Sequence, residues 1–252
     1  MSNSRNDIFI RGIKIDWNKI GTHNYIGNIA SIRSVKTLDF NSNITFFVGE
    51  NGTGKSTLLE GIAVAYGFNP EGGNRNFNFS TMDTHSELHQ AITVVKGVKR
   101  PKGNFFLRAE SFYNVASKIE DYRDGDDYSA YYHSYGGKSL HEQSHGESFL
   151  ALMQNRFVGQ GIYILDEPEA ALSPQRQLTL LMLMHNLALK GTQFIVASHS
   201  PILLGIPGST ILSFDDGEIK EISYEETESY KLTELFINNK ELLLNNLLHN
   251  IE

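Results

Sequence analysis

Ile44-Thr45-Phe46-Phe47-Val48-Gly49-Glu50-Asn51-Gly52-Thr53-Gly54-Lys55-Ser56-Thr57 runs from an apolar stretch into a glycine-rich one. Gly49 to Thr57 fits the pattern G-x-x-x-x-G-K-[ST] with no mismatch. The five residues before it are apolar and β-prone, as a strand buried on both faces should be. Leu58 to Tyr66 after it (L-L-E-G-I-A-V-A-Y) is helix-like. The pattern therefore sits between a strand and a helix, the context that gives it meaning.

The residue types suit a phosphate chain. Glycines let the loop turn tightly, so that the backbone N–H groups from Gly49 through Glu50, Asn51, Gly52, Thr53 and Gly54 to Thr57 can converge on an anion. The helix that follows adds its unpaired N-terminal N–H groups and its positive dipole end. Lys55 can reach the outer phosphates, and the Ser56 hydroxyl can hold Mg²⁺.

Two more apolar runs end in chemistry-bearing residues. Ile162 to Ser173 reads I-Y-I-L-D-E-P-E-A-A-L-S, a strand delivering Asp166 and Glu167. Open α/β sheets bind ligands at the carboxyl ends of their strands. Asp166 there would hold Mg²⁺, and Glu167 would orient or deprotonate the water that attacks the outer phosphate. Phe194 to Ser200 (F-I-V-A-S-H-S) brings His199 to the same edge, where it can contact that phosphate.

Outward from these landmarks, Ile8 to Ile15 alternates as a strand. Residues 16–28 are read as loop, and Ile29 to Phe40 as one or two strands. Ala91 to Val98 and Asn104 to Ala109 look like two strands joined by Lys99-Arg100-Pro101-Lys102-Gly103, the pair being read as a hairpin. A helix is expected over Ser111 to Glu120, then an acidic, tyrosine-rich stretch to Ser144. Gly146 to Val158 and Pro174 to Leu189 read as helices. Thr210 to Phe214 and Glu218 to Ile222 read as a hairpin on Asp215-Asp216-Gly217. A leucine- and asparagine-rich helix closes the chain over about 230–251. Strands first and alternation later suggest an α/β fold: a mainly parallel core sheet flanked by helices, with an antiparallel β subdomain at the N-terminus.

Taken together these segments resemble the ATP-binding-cassette (ABC-type) ATPases, P-loop proteins whose motifs come in this order. G-E-N-G-T-G-K-S-T resembles Walker A, I-Y-I-L-D-E resembles Walker B with its catalytic Glu, A-L-S-P-Q-R-Q the D-loop and A-S-H-S the H-loop. Leu140 to Phe149 (L-H-E-Q-S-H-G-E-S-F) stands where the family has L-S-G-G-Q, with His145 a departure from it. D-E-P-E-A-A-L-S-P is more like the stand-alone soluble ATPases of the AAA group, cousins of SMC-type heads, than like transporter subunits. The resemblance implies one domain over residues 1–252, with a helical signature insertion at about 111–158. It implies an ATP-dependent homodimer in which Ser144 and Gly146 of one copy grip ATP held by the other. Lys55, Glu167 and His199 would be catalytic, and Ser56 and Asp166 would hold the metal. The Q-loop glutamine is not evident, and Glu110 or Ser111 stands in its place. The implied role is a switch in DNA repair or phage defence acting on DNA or a partner protein; the alternative is the nucleotide-binding subunit of a transporter. Trp17 and Tyr25 are the aromatics considered for stacking on adenine.

Bulk properties set limits. The chain has 252 residues, no cysteine and a net charge of −7, which excludes thiolate sites and argues against a broadly basic surface. No apolar run reaches the length of a membrane span and no signal core opens the chain, so a cytoplasmic protein is expected. His85, His89, His141 and His145 match no common zinc spacing. Residues 121–127 are read as a solvated acidic loop, and Tyr128, Tyr131, Tyr132 and Tyr135 as part of a half-buried one.

Overall fold

The computed structural model describes residues 8–21, 24–70, 72–73, 86–109 and 145–249. Glu110, Ser111, the expected helix to Glu120, the acidic and tyrosine-rich stretch and Ser144 lie outside the described residues.

Among the described residues, nine strands form two sheets. β1 (Ile10–Ile15), β2 (Thr37–Asp39) and β4 (Ile92–Lys96) make a small antiparallel sheet in the order β2-β1-β4. The larger sheet has the order β5-β6-β7-β3-β8-β9, from β5 (Asn104–Arg108), β6 (Ile162–Asp166), β7 (Gln193–Ala197), β3 (Ile44–Val48), β8 (Thr210–Ser213) and β9 (Lys220–Ile222). Every strand pairing from β5 to β8 is parallel, and the β8–β9 hairpin is antiparallel.

β3, β6 and β7 are buried along their whole lengths, so both faces must be covered by helices or by the small sheet. Phe46, Tyr163, Leu165, Phe194 and Val196 face α4 (His145–Arg156), α5 (Pro174–Ala188) and the single turn α6 (Pro201–Leu204). Phe47, Ile164, Ile195 and Ala197 face α2 (Lys55–Tyr66) and the small sheet, with the short helices α1 (Ala30–Arg33) and α3 (Leu88–Ala91) at its margin. Pro at the first position of α5 and of α6 costs nothing, since that N–H has no helical partner.

Three expectations change. The strands at 91–98 and 104–109 form no hairpin: β4 joins the small sheet and β5 pairs with β6 in the large one. Burial explains the split, because β5 is buried at its three central residues while β4 exposes much of its length. Ile29 to Phe40 contains one helical turn before β2. The C-terminal segment is two helices, α7 (Glu228–Asn238) and α8 (Lys240–His249), separated at Asn239, whose backbone (φ −134°, ψ 38°) leaves the helical region.

A single side chain clasps the two sheets. Gln193 is fully buried at the start of β7. Its Oε1 accepts the N–H groups of Phe9 (3.0 Å) and Ile10 (2.8 Å), and its Nε2 donates to the Ile10 carbonyl at 2.8 Å. Gln193→Leu would keep the bulk and leave these three backbone groups without a partner. It is expected to lower unfolding free energy by about 3 kcal/mol or more, since each buried unsatisfied group costs roughly 1–3 kcal/mol. Urea denaturation of both proteins measures this, and an unchanged midpoint would contradict it.

Candidate functional site

The site begins where β3 turns into α2. Gly49 has φ +138°, and a Cβ there would stand 2.9 Å from Asp215 Oδ1. Gly54 has φ +95°, and a Cβ would lie 2.7 Å from the Ile29 side chain and 2.8 Å from that of Ile32. Both positions require glycine for backbone angle and for space. Between them Thr53 Oγ1 donates to the Glu50 carbonyl at 2.9 Å, and the Ser31 hydroxyl donates to the Thr53 carbonyl.

Lys55 lies in the first turn of α2 and bends back over the loop. Its Nζ donates to the carbonyls of Gly49 and Glu50, each at 2.7 Å. Burial pushes its pKa down, while Glu167, Asp215 and Asp166 pull it back up. Ser56 Oγ donates to Asp166 Oδ1 at 2.9 Å. A hydroxyl and a carboxylate in contact beside a phosphate loop are hard oxygen donors, the chemistry Mg²⁺ prefers.

β6 and β7 run in register, Asp166 opposite Ala197, and the ladder continues as the Glu167 N–H donates to the Ala197 carbonyl at 2.9 Å. Glu167 has φ +50°, a left-handed conformation that costs a non-glycine residue energy and clusters at functional sites. Two residues past β7, partial burial pushes the His199 imidazole below its ordinary 6.5. The Lys55 charge adds to that, against the opposing pull of Glu167 and Asp215. Glu167, His199, Asp215 and the loop residues Gly49, Glu50 and Asn51 line one cavity of about 840 Å³.

Of the residues singled out by sequence, the structure brings Gly49 to Thr57, Asp166, Glu167 and His199 to one edge of the sheet. Gly146 is elsewhere. It opens α4 against the D-loop of its own chain, where a Cβ would stand 2.5 Å from the Ala171 carbonyl. Trp17 and Tyr25 do not line the cavities around the loop. Trp17 Nε1 donates to the Val35 carbonyl at 2.9 Å, and the Arg33 guanidinium sits 4.6 Å over its ring. A second hollow of about 550 Å³ adjoins the first, sharing Glu50, Asp215 and Asp216 and walled by Ala30, Ser31, Thr53, Phe214 and Gly217.

Two residues of the site were missed. Arg108 ends β5 opposite Asp166; its Nη1 pairs with Glu60 Oε2 at 2.6 Å and its Nε stands 3.7 Å from Asp166 Oδ2. The signal was a cation closing an apolar strand, F-F-L-R. Asp215 was read only as a turn residue. Its Oδ1 accepts the Glu50 N–H at 3.0 Å and its Oδ2 accepts the Ser213 hydroxyl at 2.8 Å. The separation of 165 residues gave no local signal.

No curated protein matches the chain. Among solved structures it is similar to the SMC head domain from Thermotoga maritima, with 15% identity over 86% of this chain and 99% of that one, TM-score 0.44. It is also similar to cbiO1 from Clostridium perfringens, part of the ABC transporter complex cbiONQ, with 16% identity over 93% of this chain and 97% of that one, TM-score 0.47. A family profile described as an AAA domain, AAA_23, matches residues 25–180. That match spans more than half of the chain and takes in both the phosphate loop and the strand bearing Asp166, so the protein belongs to the AAA domain family.

Proposed function

We propose that the protein is a Mg²⁺-dependent ATPase that closes into a homodimer on ATP and reopens after hydrolysis. The observation that carries this reading is the Ser56–Asp166 hydrogen bond of 2.9 Å, with Glu167 next in sequence and His199 lining the same cavity. A hydroxyl, two carboxylates and an imidazole at the mouth of a phosphate loop are what in-line attack of water on a phosphoryl group needs.

Each side chain then has a task. Loop N–H groups and Lys55 bind the phosphates, with Lys55 exchanging its two carbonyl partners for phosphate oxygens. Ser56 and Asp166 would hold Mg²⁺, which supplies positive charge against the phosphate oxygens. Glu167 accepts a proton from the attacking water or orients it. His199, kept neutral by its surroundings, donates one ring N–H to the outer phosphate. The hollow beside Ser31 and Thr53 offers room for the nucleoside. Catalysis is mostly positioning and charge stabilisation.

The dimer rests on the family resemblance. It draws support from Gly146, which packs on Ala171 and does not line the cavity at its own phosphate loop. Ser144 and Gly146 would serve the second copy's ATP. ATP and ADP differ in the contacts they make with Glu167 and His199, which gives a switch its differential affinity. The process served is a DNA transaction, in repair or phage defence, with the closed dimer acting on DNA or on a partner protein.

Glu167→Gln is expected to bind ATP, to hydrolyse it about 10²-fold or more slowly, and to elute as a dimer with ATP present. Turnover at the wild-type rate would remove Glu167 from the mechanism. In a proton NMR titration the His199 midpoint should lie below 6.5 and rise in Lys55→Met, since the lysine charge opposes protonation. A midpoint unmoved by that substitution would separate the two residues.

A further inference from the structure

The turn after Glu167 carries a second acid, Glu169, to which the mechanism above gives no task. Its Oε1 accepts the backbone N–H of His199, thirty residues away in sequence, and the Ser198 hydroxyl lies beside it. Its Oε2 is shielded from solvent and has no hydrogen-bond partner. Burial pushes the carboxyl above its ordinary range; hydrogen bonds from the His199 and Glu169 N–H groups and the Ser198 hydroxyl act against that, and the neighbouring Glu167 charge adds to it.

Desolvating this carboxyl is costly, and one of its two oxygens gains no hydrogen bond in return. Costly groups of this sort concentrate where geometry matters for function. The geometry here is specific. β6 and β7 pair up to Asp166 and Ala197, and the Glu167 N–H then bonds the Ala197 carbonyl. Beyond that point the two chains diverge, one toward α5 and the other toward α6. Glu169 extends the ladder by one further rung, a side-chain oxygen standing where a backbone carbonyl would be. The next residue along is held from the same side: Ser200 Oγ donates to Gln177 Oε1 at 2.6 Å, and Gln177 Nε2 donates to the Leu172 carbonyl at 3.0 Å.

We propose that Glu169 is a positioning residue for hydrolysis, its carboxyl fixing the backbone of His199 to the turn that carries Glu167 so that the two side chains stay at a set separation. Gln177 is the second fastening of the same loop. The proposal rests on the reading of His199 as a group that meets the outer phosphate. Glu169 is not among the residues that line the cavity at the phosphate loop. Its influence passes through the His199 backbone, so it governs turnover more than ATP binding.

The test uses the full chain labelled with ¹⁵N at histidine, the His199 amide being identified by its loss in His199→Ala. Amide exchange at His199 should be slow in wild type and in Glu169→Gln, which keeps an acceptor oxygen, and fast in Glu169→Ala. Turnover should follow. Glu169→Ala is expected to lower kcat by about 10- to 100-fold, the range in which a misplacement of about 1 Å acts, while Glu169→Gln restores most of the loss. KM for ATP should move by less than about three-fold, and Glu169→Ala should add less than about two-fold to the loss in His199→Ala, because residues acting as a unit are not additive. Slow exchange in Glu169→Ala, or a double variant whose loss is the product of the two singles, would overturn the proposal. Wild-type turnover by His199→Ala would remove the phosphate-contact reading of His199 alone, and the amide exchange would then decide the anchor by itself.

Discussion

The register of three parallel strands is the constraint on which the site depends. Phe47 of β3 and Asp166 of β6 both lie opposite Ala197 of β7. The strands therefore end level with one another, and whatever follows each in sequence emerges at the same edge. After β3 comes the phosphate loop, after β6 come Glu167 and Glu169, and after β7 comes His199. A slip of one residue in either pairing would exchange the side chains packed on the two covered faces and would part Ser56 from Asp166. Because all three strands are buried throughout, such a slip is strongly disfavoured, and core packing sets the geometry of the edge.

Charge balance at that edge is one-sided. Asp166, Glu167 and Asp215 all act on Lys55, and Arg108 is shared between Glu60 and Asp166. Lys220 and Lys231 also line the cavity, against the carboxylates of Glu50, Glu167, Asp215, Asp216, Glu226 and Glu228. Carboxylates still outnumber the cations, so a divalent cation at Ser56 and Asp166 would ease the entry of a triphosphate. Asp215 has a different part. By taking the Glu50 N–H it ties the entry of the loop to the β8–β9 hairpin, and this contact is the reason residue 49 has no room for a side chain.

What the sequence made legible was local. A phosphate loop is nine consecutive residues, and strands buried on both faces appear as unbroken apolar runs, so the Asp166, Glu167 and His199 ends stood out. A mainly parallel core sheet and the hairpin at residues 210–222 followed from the same reading. The failures share one cause. Whether β4 and β5 pair with each other or with different sheets depends on which face each must bury, and that is set by partners distant in sequence. Asp215 and Glu169 serve backbone N–H groups brought to them by the fold, and nothing in D-D-G or D-E-P-E announces this. Gln193 looked like the polar start of a strand, and only the stacked sheets show that it clasps β1.

The most direct measurement of the central claim is the affinity of the chain for ATP with and without Mg²⁺, in wild type, Ser56→Ala and Asp166→Asn. If the sheet edge is one site for nucleotide and metal, Mg²⁺ should tighten ATP binding by wild type, and either substitution should abolish that gain while leaving metal-free binding near its wild-type level. A Mg²⁺-dependent gain that survives both substitutions would place the metal elsewhere and contradict the account.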